Sequence, residues 1–390
     1  MGISTPLQVS ADHASCELLR AIARLPAGGA ADRIDWLAER VRDWDGLFRM
    51  AEEHRMLPML ASQLGEMGPA VPPVMQERLR AAYDRNAFHS LANAAELISL
   101  LRAFDQAKIA AMPFKGVVLG ASVYHDLTTR PAGDLDVLIR YTDVLPAAAI
   151  LLKRGYELKT PVRANGMPVP SYCYEYHFER QTDGMVMELR WRLELSSRHF
   201  KRDLGMDWVW PRRRTAMLAG AEVPVMSPEI TLLVLCMHGS KHVWSRLIWI
   251  RDVAQLLDSV PGLDWQEVLH EGKRLGLRRT LTLGVLLAHR VAGAAVPPAV
   301  LRRYESDTTA RKLAQYIEES LFNAPGNRPA ARLPYGIQLL GFRDRINFLL
   351  SLDFVRPNER DQAALALPKL LYPLYYLIRL FRILWDHSPR

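Results

Sequence analysis

Two aspartates stand one residue apart at the entrance to an apolar run, in the segment DLDVLI that covers residues 134–139. In an extended strand, side chains two positions apart lie on the same face, about 6–7 Å apart along the chain. This spacing places Asp134 and Asp136 together and turns the apolar side chains between them the opposite way, into a core. Two carboxylates on one face repel each other unless a cation lies between them, and carboxylate oxygens are the ligands that Mg²⁺ prefers. The segment therefore predicts a strand that carries a divalent-cation site.

A third carboxylate is expected from a neighbouring strand. Glu188 lies in the strand-like segment MVMELRW, between Met187 and Leu189, which are expected to face the core. Enzymes that transfer phosphoryl groups commonly hold two metal ions about 3.5–4 Å apart, one at the attacking oxygen and one at the leaving oxygen. We therefore predict that Asp134, Asp136 and Glu188 form a catalytic metal site. The alternative is that the two aspartates are solvated residues at the start of a strand.

Basic residues precede the two aspartates. Lys115 and Gly116 stand between a short apolar segment and a predicted helix, and Arg130 lies four residues before Asp134. The free N–H groups at a helix N-terminus bind phosphate, and glycine allows the phosphate to approach closely. We predict that Lys115, Gly116 and Arg130 contact the phosphates of a donor substrate. For Lys115 the alternative is an ordinary surface lysine.

The hydrophobic periodicity changes twice along the chain. Apolar residues recur every three or four positions in residues 14–65 and again from Ser227 onward, which indicates helices. Between them, residues 109–195 are expected to form strand, helix, strand and helix, followed by a hairpin at the turn QTDG. The segment from Met75 to Lys108 is either one long helix or two. We predict an α+β fold, in which a small mixed β-sheet is flanked by helices, with N-terminal helices and a C-terminal helical bundle.

These changes divide the 390 residues into an N-terminal helical region at 1–88, an α/β core at 89–226 and a C-terminal helical domain at 227–390. The three cysteines are far apart and form no CxxC pair, so we expect neither a disulfide framework nor a thiolate zinc site, and we expect a cytoplasmic location. The formal charge of +8 suits a phosphate-bearing or acidic partner. Because the sequence carries no nucleic-acid-binding signature, no specific nucleic acid is expected as a partner.

The most apolar stretch of the tail covers residues 365–385. It contains three basic residues and two prolines, whereas a spanning helix needs roughly 18–20 nearly uncharged residues. We therefore predict no transmembrane segment and interpret the stretch as a buried or surface-lying amphipathic helix. Peripheral contact with a membrane is the alternative.

A set of short motifs surrounds these carboxylates. In chain order they are Lys115-Gly116, Tyr124-His125-Asp126, Arg130-Pro131, Asp134-Leu135-Asp136, Glu188-Leu189-Arg190-Trp191 and a helix with His238, His242 and Trp244. In this combination they resemble the polymerase-beta-type nucleotidyltransferase superfamily, in particular the bacterial branch described as nucleotidyltransferase family proteins, over roughly residues 90–300. Members of that branch are also found beside peptide-maturation genes, including those of lasso peptides. The chain departs from the wider superfamily at Lys115-Gly116, where Gly-Ser is usual, and in its longer distance from Gly116 to Asp134. It departs from the branch at Arg190, where a histidine is expected.

The resemblance implies a nucleotidyltransferase core with a two-metal active site. Asp134 and Asp136 would bind both ions, and Glu188 would bind the catalytic ion and act as the base for an acceptor hydroxyl. The implied cofactor is Mg²⁺, with Mn²⁺ as an alternative, and the implied donor is a nucleoside triphosphate or a nucleotide-sugar. The acceptor would be a small molecule or a ribosomally made peptide. The transferred group would be a nucleotidyl group or a related sugar or phosphorylated group, including a glycosyl group passed to a phosphorylated peptide.

Histidines provide further candidates. His238, Lys241 and His242 follow the i, i+3, i+4 spacing and share one helix face. Either this face is packed against tryptophans, or Lys241 and His242 contact the donor phosphate or the acceptor. His177 would lie near the metals only if it shares the face of Glu188.

Three classes of function therefore remain open from the sequence. The leading hypothesis is a Mg²⁺-dependent transferase that uses an activated phosphate donor. The second is a non-catalytic binding protein on a decayed nucleotidyltransferase fold, which the altered phosphate-binding segment favours. The third is an adaptor that binds a membrane surface through the apolar tail. The oligomeric state has no sequence signal.

Overall fold

The computed structural model describes residues 13–24, 30–64, 70–162, 174–193 and 204–322, together with residues 335, 339, 372 and 374–379. Most of the apolar tail lies outside these residues, so its role stays a prediction. Within them, no helix has both the length and the apolar character needed to cross a membrane.

The helices of the described residues are α1 (His13–Ala23), α2 (Ala30–Ala38), α3 (Trp44–Glu53), α4 (Leu57–Leu64), α5 (Pro73–Gln106), α6 (Gly116–Leu119), α7 (Val144–Lys153), α8 (Met206–Val209), α9 (Pro228–Lys241), α10 (Leu247–Ser259), α11 (Trp265–Arg274), α12 (Arg278–Ala292), α13 (Pro298–Glu305) and α14 (Thr308–Ser320). The strands are β1 (Ala111–Phe114), β2 (Asp134–Ile139), β3 (Tyr156–Leu158), β4 (Glu175–Arg180), β5 (Met185–Arg190), β6 (Arg213–Leu218) and β7 (Ala221–Met226). The long helix α5 settles the open alternative in favour of one helix.

Five strands form one mixed sheet in the order β1-β2-β5-β4-β3. β2 runs parallel to β5, whereas the β1–β2, β5–β4 and β4–β3 pairs are antiparallel. β4 and β5 form the predicted hairpin, and its turn contains Gly184 at φ +70°, a conformation that glycine adopts at little cost. The predicted α+β fold with a small mixed sheet is confirmed.

β3 and the separate two-stranded sheet of β6 and β7 were not predicted from the sequence. β3 has only three residues, too few to show an alternating pattern. β6 and β7 are joined at Ala219 and Gly220, whose φ angles are +46° and +83°, as a tight hairpin turn requires. Alanine at the first of these positions is not a typical turn residue, so the sequence did not indicate the turn. β6 is mostly exposed, so its sequence lacks the alternation of apolar and polar residues that would indicate a strand.

The N-terminal and C-terminal helices share one hydrophobic core although they are far apart in sequence. Leu18 of α1 and Leu60 of α4 belong to the same buried cluster as Leu235 of α9 and Leu286 of α12. A second buried cluster joins one face of the sheet to α5 and α7. The boundaries of the three predicted regions stay a prediction.

The two faces of the sheet have different surroundings. Leu135, Val137 and Ile139 of β2 are at most 2 % exposed and belong to the cluster with α5 and α7, as the strand pattern predicted. Asp136 and Leu138 lie on the opposite face, and Leu138 joins the core of the helical regions. Helix α9 lies beside this second face, where its side chains line a narrow cleft with those of β1 and β5. The fold therefore places the acidic residues between the sheet and the C-terminal helices.

Candidate active site

Three carboxylates converge where β2 and β5 pair. Asp136 lies opposite Glu188 in the parallel register of these strands, and Asp134 is two residues earlier on the same face. One ligand oxygen from each of Asp134, Asp136 and Glu188 lies within 4.8 Å of the other two. Asp136 is 5 % exposed, whereas the other two are half-buried. The structure thus brings the three predicted residues together, and their roles in metal binding and catalysis stay predictions.

The electrostatic surroundings of the two aspartates disfavour their ionised forms. Burial raises the pKa of Asp136, while the nearby cations Lys115 and Arg190 act in the opposite direction. Burial also raises the pKa of Asp134, and the charge of Asp136 adds to that rise. Ionised carboxylates are therefore held together at a free-energy cost that a further cation would relieve.

Arg190 bridges the cluster. Its side chain is 4 % exposed, Nε donates to Asp136 Oδ1 at 3.1 Å, and Nη1 lies 2.7 Å from Glu175 Oε2. Nη2 donates to the carboxylate of Glu188. Arg190 was not predicted as a site residue and stood out from the sequence only as a departure from the resemblance. A signal was present, because residues two apart on a strand share a face, and Glu188 and Arg190 have that spacing.

The Lys115–Gly116 turn follows β1 and approaches the cluster beside β2. Lys115 Nζ lies 3.9 Å from Asp136 Oδ1 and its side chain is 11 % exposed, so Lys115 is not an ordinary surface lysine. Lys115 and Gly116 have φ angles of +59° and +43°. A Cβ atom at Gly116 would lie 3.1 Å from the carbonyl oxygen of Asp134, so a side chain there would press on β2. The helix α6 that starts here has only four residues and continues as a π-helical turn. The phosphate contacts of this turn stay a prediction.

The side chain of Arg130 is 10 % exposed and pairs with a residue of the C-terminal helices. Its Nε and Nη2 donate to the two carboxylate oxygens of Asp252 on α10, at 2.8 and 2.9 Å. The hydroxyl of Tyr124 donates to the same carboxylate at 2.8 Å, and Arg130 Nη1 donates to the carbonyl of Gly116 at 3.2 Å. This network ties the Gly116 turn to α10. A contact with donor phosphate would require the guanidinium to leave Asp252, so the geometry favours a positioning role over the predicted phosphate contact.

The histidine face of α9 packs against α10. The rings of His238 and His242 are 4.8 Å apart between centroids, and His242 stacks on Trp249 at 4.9 Å. His238 also lines the narrow cleft beside the carboxylates. Lys241 is exposed at the last residue of α9, where the negative end of the helix dipole disfavours phosphate. The packed-face interpretation is thereby favoured, and the donor contacts of Lys241 and His242 stay predictions.

His177 shares the face of Glu188, which is the condition under which it was expected to lie near the metal site. It lies directly opposite Glu188 in the antiparallel β4–β5 register, and directly opposed residues share one face of a sheet. His177 is half-buried. It therefore lies at the edge of the acidic cluster.

Arg55 reaches the cluster from the N-terminal helices and was missed by the sequence analysis. Its Nη1 lies 3.8 Å from the position of a Cβ atom on Gly133, and its charge opposes the raised pKa of Asp134. Arg55 adopts φ +54° in the turn between α3 and α4, an uncommon conformation for a residue other than glycine. Its neighbour His54 is buried, and the Nδ1 of His54 accepts a hydrogen bond from the N–H of Leu247 at 3.1 Å. Sequence patterns near Arg55 could not predict that it lies beside the acidic cluster, because its position depends on the packing of this turn against α10.

The raised pKa of Asp134 predicts a pH-dependent gain in stability on removing its charge. In metal-free protein, Asp134→Asn is expected to raise the Tm at neutral pH. The folded-state pKa of Asp134 lies above its ordinary value of 3.8, so the folded protein becomes less stable as the pH rises through that folded-state pKa and the carboxyl ionises. The gain is expected to shrink as pH falls and to vanish below 3.8, where wild-type Asp134 is protonated in both states. Thermal unfolding in EDTA, followed from neutral pH to below pH 3.8, measures the difference in Tm between Asp134→Asn and the wild type. Asp84→Asn, at an exposed site on α5, is expected to give no such gain, and an equal gain in both variants would contradict the explanation.

A family model described as an uncharacterised nucleotidyltransferase matches residues 40–293. This span covers well over half of the 390 residues and contains the carboxylate cluster, the Lys115–Gly116 turn and the Arg130–Asp252 pair. No curated protein shows significant similarity to the chain. The match confirms the nucleotidyltransferase superfamily that the motifs resemble, and the bacterial branch with its link to peptide maturation stays a prediction.

Proposed function

Because the chain belongs to the uncharacterised nucleotidyltransferase family, we propose that it is a metal-dependent nucleotidyltransferase with its active site at Asp134, Asp136 and Glu188. The observation that carries this proposal is the convergence of the three carboxylates, whose ligand oxygens lie within 4.8 Å of one another. The family supports transferase activity in general. The metal, the donor and the acceptor are the finer parts of the proposal.

The residues of the cluster suit Mg²⁺, with Mn²⁺ as a substitute. Asp134, Asp136 and Glu188 offer only carboxylate oxygens, which hard divalent cations prefer over nitrogen and sulfur. Burial raises the pKa of both aspartates, and a bound cation would offset the cost of keeping them ionised. When bound, the ion neutralises charge on the donor phosphates and lowers the pKa of the attacking oxygen.

The side chains of the protein carry the remaining chemistry. The acceptor oxygen attacks the α-phosphorus of a nucleoside triphosphate, so that a new P–O bond forms while the α-phosphorus to bridging-oxygen bond breaks and pyrophosphate leaves. Glu188 is half-buried and accepts the proton of the acceptor hydroxyl. Lys115 binds the donor phosphates by charge-assisted hydrogen bonds, and Gly116 allows their close approach. Arg130 positions this turn through its pair with Asp252.

The acceptor side is proposed from charge and exposure. The exposed guanidinium of Arg55 at the edge of the cluster and the net charge of +8 favour a phosphate-bearing or acidic acceptor. We propose a hydroxyl or phosphate group on a small molecule or a peptide. We also propose a cytoplasmic location, which the widely spaced cysteines favour.

The proposal is tested by titrating the full chain with ATP, GTP, CTP, UTP and nucleotide-sugars in a calorimeter, each with and without Mg²⁺. At least one donor is expected to bind only with the metal, and water is expected to act as a slow acceptor that releases pyrophosphate from a bound triphosphate. Failure of every donor to bind with either Mg²⁺ or Mn²⁺ would rule the proposal out.

A second candidate is a non-catalytic binding protein on the same fold. One observation favours it: Arg190 contacts Asp136 and Glu188, two of the carboxylates that an ion would need. This candidate predicts that donors bind without any release of pyrophosphate. The calorimetric and pyrophosphate measurements therefore separate the two functions.

A further inference from the structure

The acidic face carries a fourth carboxylate besides the three proposed ligands. Glu175 on β4 lies directly opposite Arg190 in the β4–β5 register, and Arg190 Nη1 lies 2.7 Å from Glu175 Oε2. The same guanidinium donates through Nε to Asp136 at 3.1 Å and through Nη2 to Glu188. One side chain therefore bridges carboxylates from β2, β4 and β5.

We propose that Arg190 takes the place of one of two cations, so that the carboxylates of this site bind a single divalent ion. The inference rests on the proposed function, because it concerns the ion held by the same residues. In the two-ion arrangement that the resemblance implies, Asp134 and Asp136 bind both ions. Here one oxygen of Asp136 already accepts a hydrogen bond from the guanidinium, which leaves the side of the cluster near Asp134 for an ion.

The charges of the site support a single ion. Four carboxylates and the two basic side chains that pair with them meet on this face: Asp134, Asp136, Glu175, Glu188, Arg190 and Lys115. Arg55 lies at the exposed edge of the cluster, where solvent screens its charge, and is left out of this balance. With the carboxylates ionised, their charges leave a remainder of −2, which one divalent ion cancels. A second ion would leave an uncompensated positive charge beside the buried Asp136 and Arg190, which is unfavourable. This balance describes the site before the donor binds, because the donor phosphates bring their own charge.

Arg190 is held too firmly to move aside for a second ion. Its side chain is 4 % exposed, so water cannot replace the contacts that it makes. Moving it would break charge-assisted contacts to Asp136, Glu175 and Glu188 together. The guanidinium is therefore a fixed part of the site.

The number of bound ions tests the inference. Mn²⁺ is added to the full chain without donor, the free ion is measured by electron paramagnetic resonance, and the number bound per chain is read at saturation. One ion is expected for wild type and for Arg190→Lys, which keeps the charge, and two are expected for Arg190→Gln, which removes it. The matched control is Arg140→Gln, which removes an exposed arginine that follows β2 and pairs with Asp207. This variant is expected to bind one ion per chain.

The outcomes separate this inference from the proposed function. Two ions in the wild type would overturn the inference and leave the metal-dependent transferase in place. No ion in the wild type but binding in Arg190→Gln would mean that Arg190 closes the site, which overturns the inference and favours the non-catalytic protein. No ion in any variant would count against both. Circular dichroism checks that the variants fold, and if Arg190→Gln does not, the wild-type and Arg190→Lys numbers still decide.

Discussion

Replacing Asp136 with asparagine is expected to lower the rate of nucleotidyl transfer by about 10³-fold or more, which corresponds to about 4 kcal/mol of transition-state stabilisation. Asparagine keeps the volume of aspartate but removes its charge, and Asp136 is the most deeply buried of the three carboxylates. The change also removes the negative charge with which both Lys115 and Arg190 pair. Pyrophosphate release at saturating donor measures the rate, and titration with Mn²⁺ measures the accompanying loss of metal binding.

The matched control for this prediction is Asp207→Asn. It makes the same chemical change at an exposed carboxylate, which pairs with Arg140 away from the cluster. Surface substitutions of this kind usually change stability by less than about 0.5 kcal/mol, and the rate is expected to stay at the wild-type level. If Asp136→Asn kept the wild-type rate and metal affinity, the proposed active site would be excluded.

Replacing Asp252 with alanine is expected to lower the free energy of unfolding by about 3–5 kcal/mol, because it leaves the guanidinium of Arg130 buried without its partner. Asp252 is 1 % exposed and accepts hydrogen bonds from Arg130 and Tyr124. Burial also raises the pKa of Tyr124, so that hydroxyl stays protonated and needs an acceptor. Urea unfolding of the metal-free protein measures the loss. Asp258→Ala, an exposed aspartate on the same helix, is expected to change the stability by less than about 0.5 kcal/mol.

A double replacement distinguishes the buried charge from a simple loss of packing. Arg130→Met combined with Asp252→Leu removes both charges and keeps most of the apolar volume, so the double variant is expected to be more stable than Asp252→Ala alone. Its donor affinity is nevertheless expected to fall, because the carbonyl of Gly116 loses the hydrogen bond from Arg130. A double variant no more stable than Asp252→Ala would contradict the assignment of the loss to an unpaired charge.

The acidic strand was predictable because its signal is local. The alternation in DLDVLI placed the aspartates on one face and Leu135, Val137 and Ile139 in the core, and the structure has them there. The hairpin of β4 and β5 was equally local, since its turn carries Asp-Gly. By contrast, β3 is too short for a periodic signal, and the turn between β6 and β7 places an alanine at positive φ.

Other parts of the site depend on which elements pack together. The position of Arg130 ahead of the two aspartates predicted a phosphate contact, but a partner 122 residues away, Asp252, holds its guanidinium. Arg55 comes from helices that share a core with the C-terminal bundle, and no pattern around it predicts the contact. The sequence left open whether Lys115 is a surface residue. In the structure the chain turns at Lys115 with a positive φ, and its side chain lies beside Asp136.

Residue spacing and hydrophobic period were enough to predict that two carboxylates share a strand face, that a third follows on a later strand, and that helices flank a small sheet. The packing of the whole chain decided that β2 and β5 pair in parallel and bring Glu188 beside Asp136. It also decided that Arg190 lies among the carboxylates and that Asp252 orients Arg130. The physical reason is that charge pairs and strand partners form between residues distant in the chain, and their choice is set by the burial of whole faces rather than by local conformational preference.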